Sequence, residues 1–445
     1  MDQLWANRAA SAETAVKNRH IRRLCQVPGT QLGVVAWPAT RSERMFKNWH
    51  YWWQAHLLDC MVDAQVRDPQ EQRVTDIQRQ IRGHQLRNNG SWTNNYYDDM
   101  AWLALALERA GRLAGVQRPK ALTKLSEQLL TAWVPEDGGG IPWRKQDQFF
   151  NAPANGPAGI FLARYDRLRR AQQMADWIDD TLIDPETHLV FDGLKAGSLV
   201  RAQYTYCQGV VLGLETELAV RTGEPRHAER VDRLVAAVRD NMAPEGVIVG
   251  AGGGDGGLFA AITARYLAFV ATTLPGDSDE AEHTRQTARD LVITSAQSAW
   301  DYRQTVDGLP LFGPFWDRNA DLPKAAGADS AKTVDGAVNS SQLPERDLSV
   351  QVAGWMLMEA AYTLTAEAEA EAEPTDAAPT VTETDAEPDA EAEPEAEPAE
   401  EAEPAADQAA EPEAAEPESA DAEAAEPESI ETEADKDETD ESNSS

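Results

Sequence analysis

The chain is 445 residues long and carries 76 Asp and Glu against 40 Lys and Arg, a net charge of −36. From Glu367 onward lie 32 acidic residues and one basic residue, Lys436, which leaves a body with 44 acidic and 39 basic residues, net −5. No basic stripe is present to meet phosphates, which argues against nucleic acid as a partner. Three cysteines, Cys25, Cys60 and Cys207, are too few and too odd in number for a disulfide framework.

Met1–Arg8 lacks the basic start and apolar run of a signal peptide. No stretch has the roughly 18 uninterrupted apolar residues of a membrane span, so a cytoplasmic location is expected. Apolar residues then recur at the 3–4 spacing of helices buried on one face. The pattern predicts helices over 3–24, 46–66, 70–83, 95–110, 118–132, 154–167, 170–182, 206–220, 226–241, 260–271, 286–300 and 350–364. Gly111, Pro119, Pro135, Pro157, Gly223, Pro225 and Pro275 punctuate the junctions. Strand signals are weak, with Val190-Phe191 and Val247–Val249 as candidate hairpin edges. Twelve helices in six hairpins suggest an all-α toroid, an inner ring inside an outer one. No clean sequence repeat proves it, so an α-solenoid stays open.

Residues 1–366 are expected to form the folded body. In 367–445 Glu-Ala-Glu-Pro recurs and apolar side chains larger than Ala are almost absent. Such a chain cannot bury enough surface to offset its ordering entropy, and Pro interrupts any helix that Ala and Glu favour. A disordered acidic tail is expected, serving solubility or spacing; its partner is unknown.

The chemistry concentrates in Tyr96-Tyr97-Asp98-Asp99-Met100-Ala101-Trp102. Acidic residues in a helix's first turn meet the positive end of its dipole, and Asn94 or Asn95 can cap that end, which is the bland reading. The flanking aromatics point further. Paired carboxylates beside sugar-stacking rings are what acid-catalysed glycosidic cleavage needs. Two neighbouring Asp cannot both ionise cheaply in a partly dry cleft, so one is expected to stay a carboxylate and the other to hold a proton. Neighbours in sequence fit the roughly 5–5.5 Å carboxyl separation of retaining enzymes better than the wider inverting geometry. Trp52, Trp92, Trp102, Trp143 and Trp316 lie near Gly, Pro or polar loops and are candidates to line a carbohydrate groove.

Other motifs carry less. Gly252, Gly254 and Gly257 satisfy G-x-G-x-x-G, yet no βαβ unit surrounds them, and a tight turn explains them. The seven His form no metal pattern, the Cys show no zinc spacing, and neither G-x-S-x-G nor a Walker loop occurs. No metal or cofactor is expected.

Several segments resemble, in order, the motifs of glycoside hydrolase family 76, the endo-α-1,6-mannanases. These are Asn94–Gly111; Asn151–Pro157, like N-A-x-x-N-G-P; Asp184-Pro185-Glu186-Thr187 through Gly193, like D-P-E-T-G-L-V-Y-D-G; Thr205–Gly209, like T-Y-N-Q-G; and Gly253–Tyr266, like G-G-D…F-K-G-I…R-Y. The resemblance implies an (α/α)6 barrel and retaining double displacement at α-1,6-mannosidic linkages, on a mannose-containing oligo- or polysaccharide. It assigns Asp98 as nucleophile and Asp99 as general acid/base. Tyr97, Trp102, Asn155, Gln208 and Asp255 are the expected sugar contacts. Two positions depart: Cys207 stands where Asn is usual, and Ala260 replaces a Lys, removing a cation. Two other readings remain, a catalytically inactive toroid that binds glycans or a protein, and a sugar epimerase, for which catalytic His pairs are wanting.

Overall fold

The computed structural model describes residues 2–372 apart from 136–137, 324–332, 335–336 and 339–342. Its helices are α1 (Asp2–Arg19), α2 (Arg41–Arg44), α3 (Tyr51–Arg67), α4 (Glu71–Arg87), α5 (Tyr97–Leu113), α6 (Pro119–Thr131) and α7 (Ala152–Arg164). They continue as α8 (Leu168–Leu182), α9 (Thr205–Thr222), α10 (Pro225–Met242), α11 (Gly256–Thr273), α12 (Asp279–Asp301) and α13 (Leu348–Ala372). All twelve expected helices form, and α2 adds a single turn closed by a Thr40–Glu43 capping box.

The helices differ by layer. On α8, Ala171, Met174, Ala175, Ile178 and Leu182 bury one stripe, as an outer helix with one wet face should. On α11, buried residues run almost continuously from Gly257 to Tyr266, so the helix is covered on both sides. Packing follows suit: α3, α5, α7, α9, α11 and α13 each touch the next, and α13 returns to α3. The ring therefore closes, and α1, α4, α6, α8, α10 and α12 surround it. This is the (α/α)6 barrel, not an open solenoid. Small residues permit the tight inner ring. A Cβ on Gly213 of α9 would lie 2.3 Å from the Tyr266 ring of α11, and one on Gly156 of α7 would lie 2.5 Å from Val210.

An inner helix is reached each time through an antiparallel outer one, so all six inner helices run the same way and their N-termini gather at one end. Four of them share a device there. Gln54, Asn155, Gln208 and Gln351 are each the fourth residue of α3, α7, α9 and α13, and all are buried. Each amide oxygen accepts a backbone N–H of the incoming loop, from Gly33, Ile141, Val190 and Phe312 respectively. Each amide nitrogen donates back to the carbonyl of that same loop residue. It also donates to a carbonyl just before its own helix, those of Trp49, Asn151, Tyr204 and Glu345. One side chain thus ties loop to helix start and satisfies backbone groups that burial would otherwise orphan.

Short strands decorate this end. β1 (Ile21–Arg22) pairs with β2 (Leu32–Gly33), and β3 (Phe149–Asn151), β4 (Gly193–Lys195) and β5 (Ser198–Val200) form an antiparallel sheet. β6 (Gln304–Val306) pairs with β7 (Leu309–Leu311), and β8 (Thr333–Val334) with β9 (Ala337–Val338). The expected edges lie elsewhere: Val190 makes only an isolated bridge to Ile183, and 247–249 is not a strand. The real hairpin begins two residues past Phe191, where Gly193 crosses Asn151 too closely to tolerate a side chain.

Residues 2–372 lie within one compact unit. α13 is described to Ala372, past the expected helix end at 364, and Ala and Glu favour that continuation. Residues 373–445, on which the expectation of disorder rests, lie outside the described residues. Gly256–Thr273 is apolar and long enough to cross a membrane, and 72% of it is buried inside the barrel.

Candidate active site

The start of α5 is held from outside the helix. Tyr97 N–H donates to the Trp143 carbonyl at 2.8 Å and Lys145 N–H to Asn95 at 2.9 Å, with Tyr96 bridging Arg144. Asn94 does not cap the helix. Its Oδ1 accepts from Tyr96 N–H at 2.9 Å, and its Nδ2 donates to Asp99 Oδ2 at 2.5 Å. Trp143 Nε1 donates to Asp98 Oδ2 at 2.9 Å. Asp98 Oδ1 is buried and meets no hydrogen-bond donor. Both Asp side chains are half-buried, neither sealed in the core nor turned out to solvent.

Burial pushes the Asp98 carboxyl up to about 7 against the Trp143 N–H, and the charge of Asp255 pushes the same way. Asp99 is driven well above the usual carboxylate range by burial first and the charge of Asp98 second. Both shifts have the same sign, so the pair holds a proton to higher pH than two free carboxyls would.

Two further carboxylates approach from other parts of the chain, one before α11 and one before β4. Asp255, just before α11, accepts at Oδ1 from both Trp52 Nε1 and Trp53 Nε1, each at 2.9 Å. Asp192 precedes β4 and accepts from Cys207 Sγ at 3.8 Å, and burial raises it to about 6. Tyr206 links them: its hydroxyl is pushed up by burial first, then by the charges of Asp192, Cys207, Asp98 and Asp255. Its ring stacks on Phe259 at 3.8 Å and 6°. Tyr204 leans on the same Phe259 at 5.4 Å, while Tyr96, Trp143 and Phe149 make a second run of rings at 5.3 and 6.1 Å. Carboxylates flanked by two aromatic runs can stack a pyranose and act on its acetal.

The expected site residues divide. Asp98, Asp99 and Asp255 lie near enough for their charges to act on one another. Tyr97 is half-buried and packs on the core. Asn155 and Gln208 prove to be loop clamps at 0% exposure, with their amides engaged by backbone. Trp102 is 4% exposed and lies one turn inward, stacked on Trp52 at 6.4 Å. It roofs a cavity of about 160 Å³ bordered by His56, Asp59, Asp63, Arg109 and Arg265, deeper in the barrel. Trp316 is core. Among the described residues no His, Cys, Asp and Glu group is arranged to hold a metal.

A model of glycosyl hydrolase family 76 matches residues 8–336. The chain belongs to glycosyl hydrolase family 76. No curated protein matches it, but solved structures do. The α-1,6-mannanase of Salegentibacter sp. HEL1_6, solved as an inactive variant with two consecutive Asp changed to Asn and with α-1,6-mannotriose bound, is 26% identical. That match covers 81% of this chain and 99% of the other, with a TM-score of 0.67. A family 76 mannosidase from Bacteroides thetaiotaomicron is 16% identical, covering 82% and 99%, TM-score 0.61. Dfg5 from Chaetomium thermophilum, solved with glucosamine, is 18% identical, covering 81% and 91%, TM-score 0.61. The last two show the shared fold.

Asp192 was not foreseen, although it sits inside the Phe191-Asp192-Gly193 segment of a family 76 motif. The signal was the unusual Cys207, the residue now against it. Trp52 and Trp53 serve as carboxylate holders, a role that only the folded ring reveals, since Asp255 is some 200 residues away.

Proposed function

We propose that this protein is a retaining glycosidase acting on α-1,6-mannosidic linkages, with Asp98 as nucleophile and Asp99 as general acid/base. The observation that supports this most directly is the adjacent carboxyl pair at the start of α5, with Asp98 held by Trp143 Nε1, Asp99 held by Asn94 Nδ2, and burial raising both. In the first step the Asp98 carboxylate bonds to the anomeric carbon as the glycosidic C–O bond breaks, and Asp99 passes its proton to the leaving oxygen. In the second, the Asp99 carboxylate takes a proton from water, whose oxygen displaces Asp98 from the anomeric carbon. The Salegentibacter enzyme, inactive when two consecutive Asp are changed and described as an α-1,6-mannanase, supports both the residues and the linkage.

The test is release of reducing ends from α-1,6-mannan. The wild-type protein is expected to release them, and Asp98→Asn to lose at least about 10³-fold in rate with its helical circular dichroism unchanged. Full activity in that variant would end the assignment. Calorimetric binding of manno-oligosaccharides without any turnover by the wild type would identify a glycan-binding toroid instead.

A further inference from the structure

The inner helices all run the same way, so their C-terminal ends gather opposite the acid pair, and the cavity of about 160 Å³ lies on that side. The rings of His56 and Trp102, 4.5 Å apart, close its top. Its lower rim is Thr272, next to last in α11, and Thr363 of α13, which is exposed, so the chamber opens to solvent there. Three guanidinium and three carboxyl groups stand in its wall: Arg109, Arg164 and Arg265 with Asp59, Asp63 and Glu359. Each is already paired. Arg109 and Arg265 both hold Asp59 and Asp63, Arg164 Nε donates to Glu217 at 2.8 Å, and Glu359 accepts from Arg67 at 2.9 Å. Burial pushes Asp59 up, but the two guanidiniums outweigh it and hold the carboxyl at about 2. Two buried atoms are left over. His56 Nε2 and Arg265 Nε meet no hydrogen-bond partner among the described residues. The His56 side chain is 3% exposed, and burial drops it to about 3, so its ring is neutral.

Buried polar atoms are ordinarily satisfied, so those left over beside a chamber point to what fills it. Charge decides the kind of occupant. The wall is balanced, and an ion would enter a confined space that offers it no spare counter-charge. A hydroxyl group both gives and accepts a hydrogen bond, which suits carboxylates set beside guanidiniums. Tyr266 and Phe269 add rings for the carbon skeleton. At roughly 10–15 Å³ per water the volume holds about ten waters, close to the heavy-atom count of a hexose.

We propose that this rear chamber is a binding site for a neutral, hydroxyl-rich small molecule, a monosaccharide or sugar alcohol, separate from the acid pair. It involves no covalent step and does not depend on the reaction proposed above. The experiment is NMR of the full chain, labelled with ²H and ¹⁵N and titrated with D-mannose and with D-mannitol. Trp102 Nε1–H and the amides of Thr272 and Thr363 report on the chamber, and Trp143 Nε1–H reports on the acid pair. The chamber's signals are expected to move together along one saturable curve with a millimolar midpoint. Thr363→Trp sets an indole across the mouth and is expected to weaken that curve at least about tenfold, while Trp143 responds as in the wild type. Thr272→Trp, on the neighbouring helix, closes the same mouth should the first variant fail to fold. Chamber signals that stay still, whether or not Trp143 moves, would leave water as the occupant and overturn the proposal. So would an unweakened curve in the blocked variants, or a response to inorganic phosphate and to neither polyol, which would mark an anion site. A failure to cleave mannan bears on the acid pair alone and leaves this titration to decide the chamber.

Discussion

Four inner helices place an amide at their fourth residue, whereas α5 and α11 place Met100 and Phe259 there. Those two unclamped helices are the ones that carry or follow Asp98, Asp99 and Asp255. Where the clamp is present, the helix start is committed to holding its loop. Where it is missing, the start is fixed otherwise, on α5 by backbone pairing with 143–145, and the acids of the first turn are anchored by indoles from neighbouring elements. The barrel thus separates amide-clamped helix starts from the two that hold the proposed acids, around one ring of equivalent positions.

The separation can be broken most sharply at a clamp. Gln208→Leu removes the side chain that holds the N–H and C=O of buried Val190. Chemical denaturation is expected to show a loss of about 2–4 kcal/mol, with turnover per folded molecule largely kept. A comparable loss of kcat at full stability would blur the two classes. On the acid side, Trp143→Phe removes the N–H that holds the Asp98 proton affinity down. Asp98 then protonates at higher pH, so, if it is the nucleophile proposed above, the acid limb of the rate profile moves up, with kcat near neutrality reduced about tenfold. The smallest effect concerns stability. Asp98 ionises near 3.8 when unfolded and about 7 when folded. The native state therefore binds the extra proton between those values, and stability falls as pH rises through that window. Asp98→Asn removes this dependence and is expected to gain about 1–2 kcal/mol at pH 8 relative to wild type, little at pH 4, measured by thermal melting.

The twelve helices were legible because the 3.6-residue period survives in every segment, including outer helices such as α8. Boundaries were less so. The first helix stops at Arg19, since Ile21 and Arg22 pair with Leu32 and Gly33, a partnership no local pattern announces. α12 begins at Asp279, seven residues before its apolar period appears, because Ser278 caps a polar first turn. The placement of Asp98 and Asp99 in a helix's first turn among aromatic rings was legible from the sequence around them. Asn155 and Gln208 were read as sugar contacts because a motif marks a position without saying which way the side chain faces. The fourth-residue amide, a repeat of one residue per hairpin, is too sparse to register as sequence periodicity. The buried cluster of Asp59, Asp63, Arg109 and Arg265 escaped notice for a related reason. Its charges interrupt three apolar stripes and find each other only when the ring is closed.

That closure has a consequence for how the chain is made. The first helix packs against the last, and Arg67 reaches Glu359 at 2.9 Å across 292 residues. During translation the early hairpins must wait, their apolar edges uncovered, until the final inner segment leaves the ribosome. A premature stop anywhere ahead of Leu348 would leave an open crescent with two greasy seams, so half a barrel should aggregate instead of surviving as a smaller one.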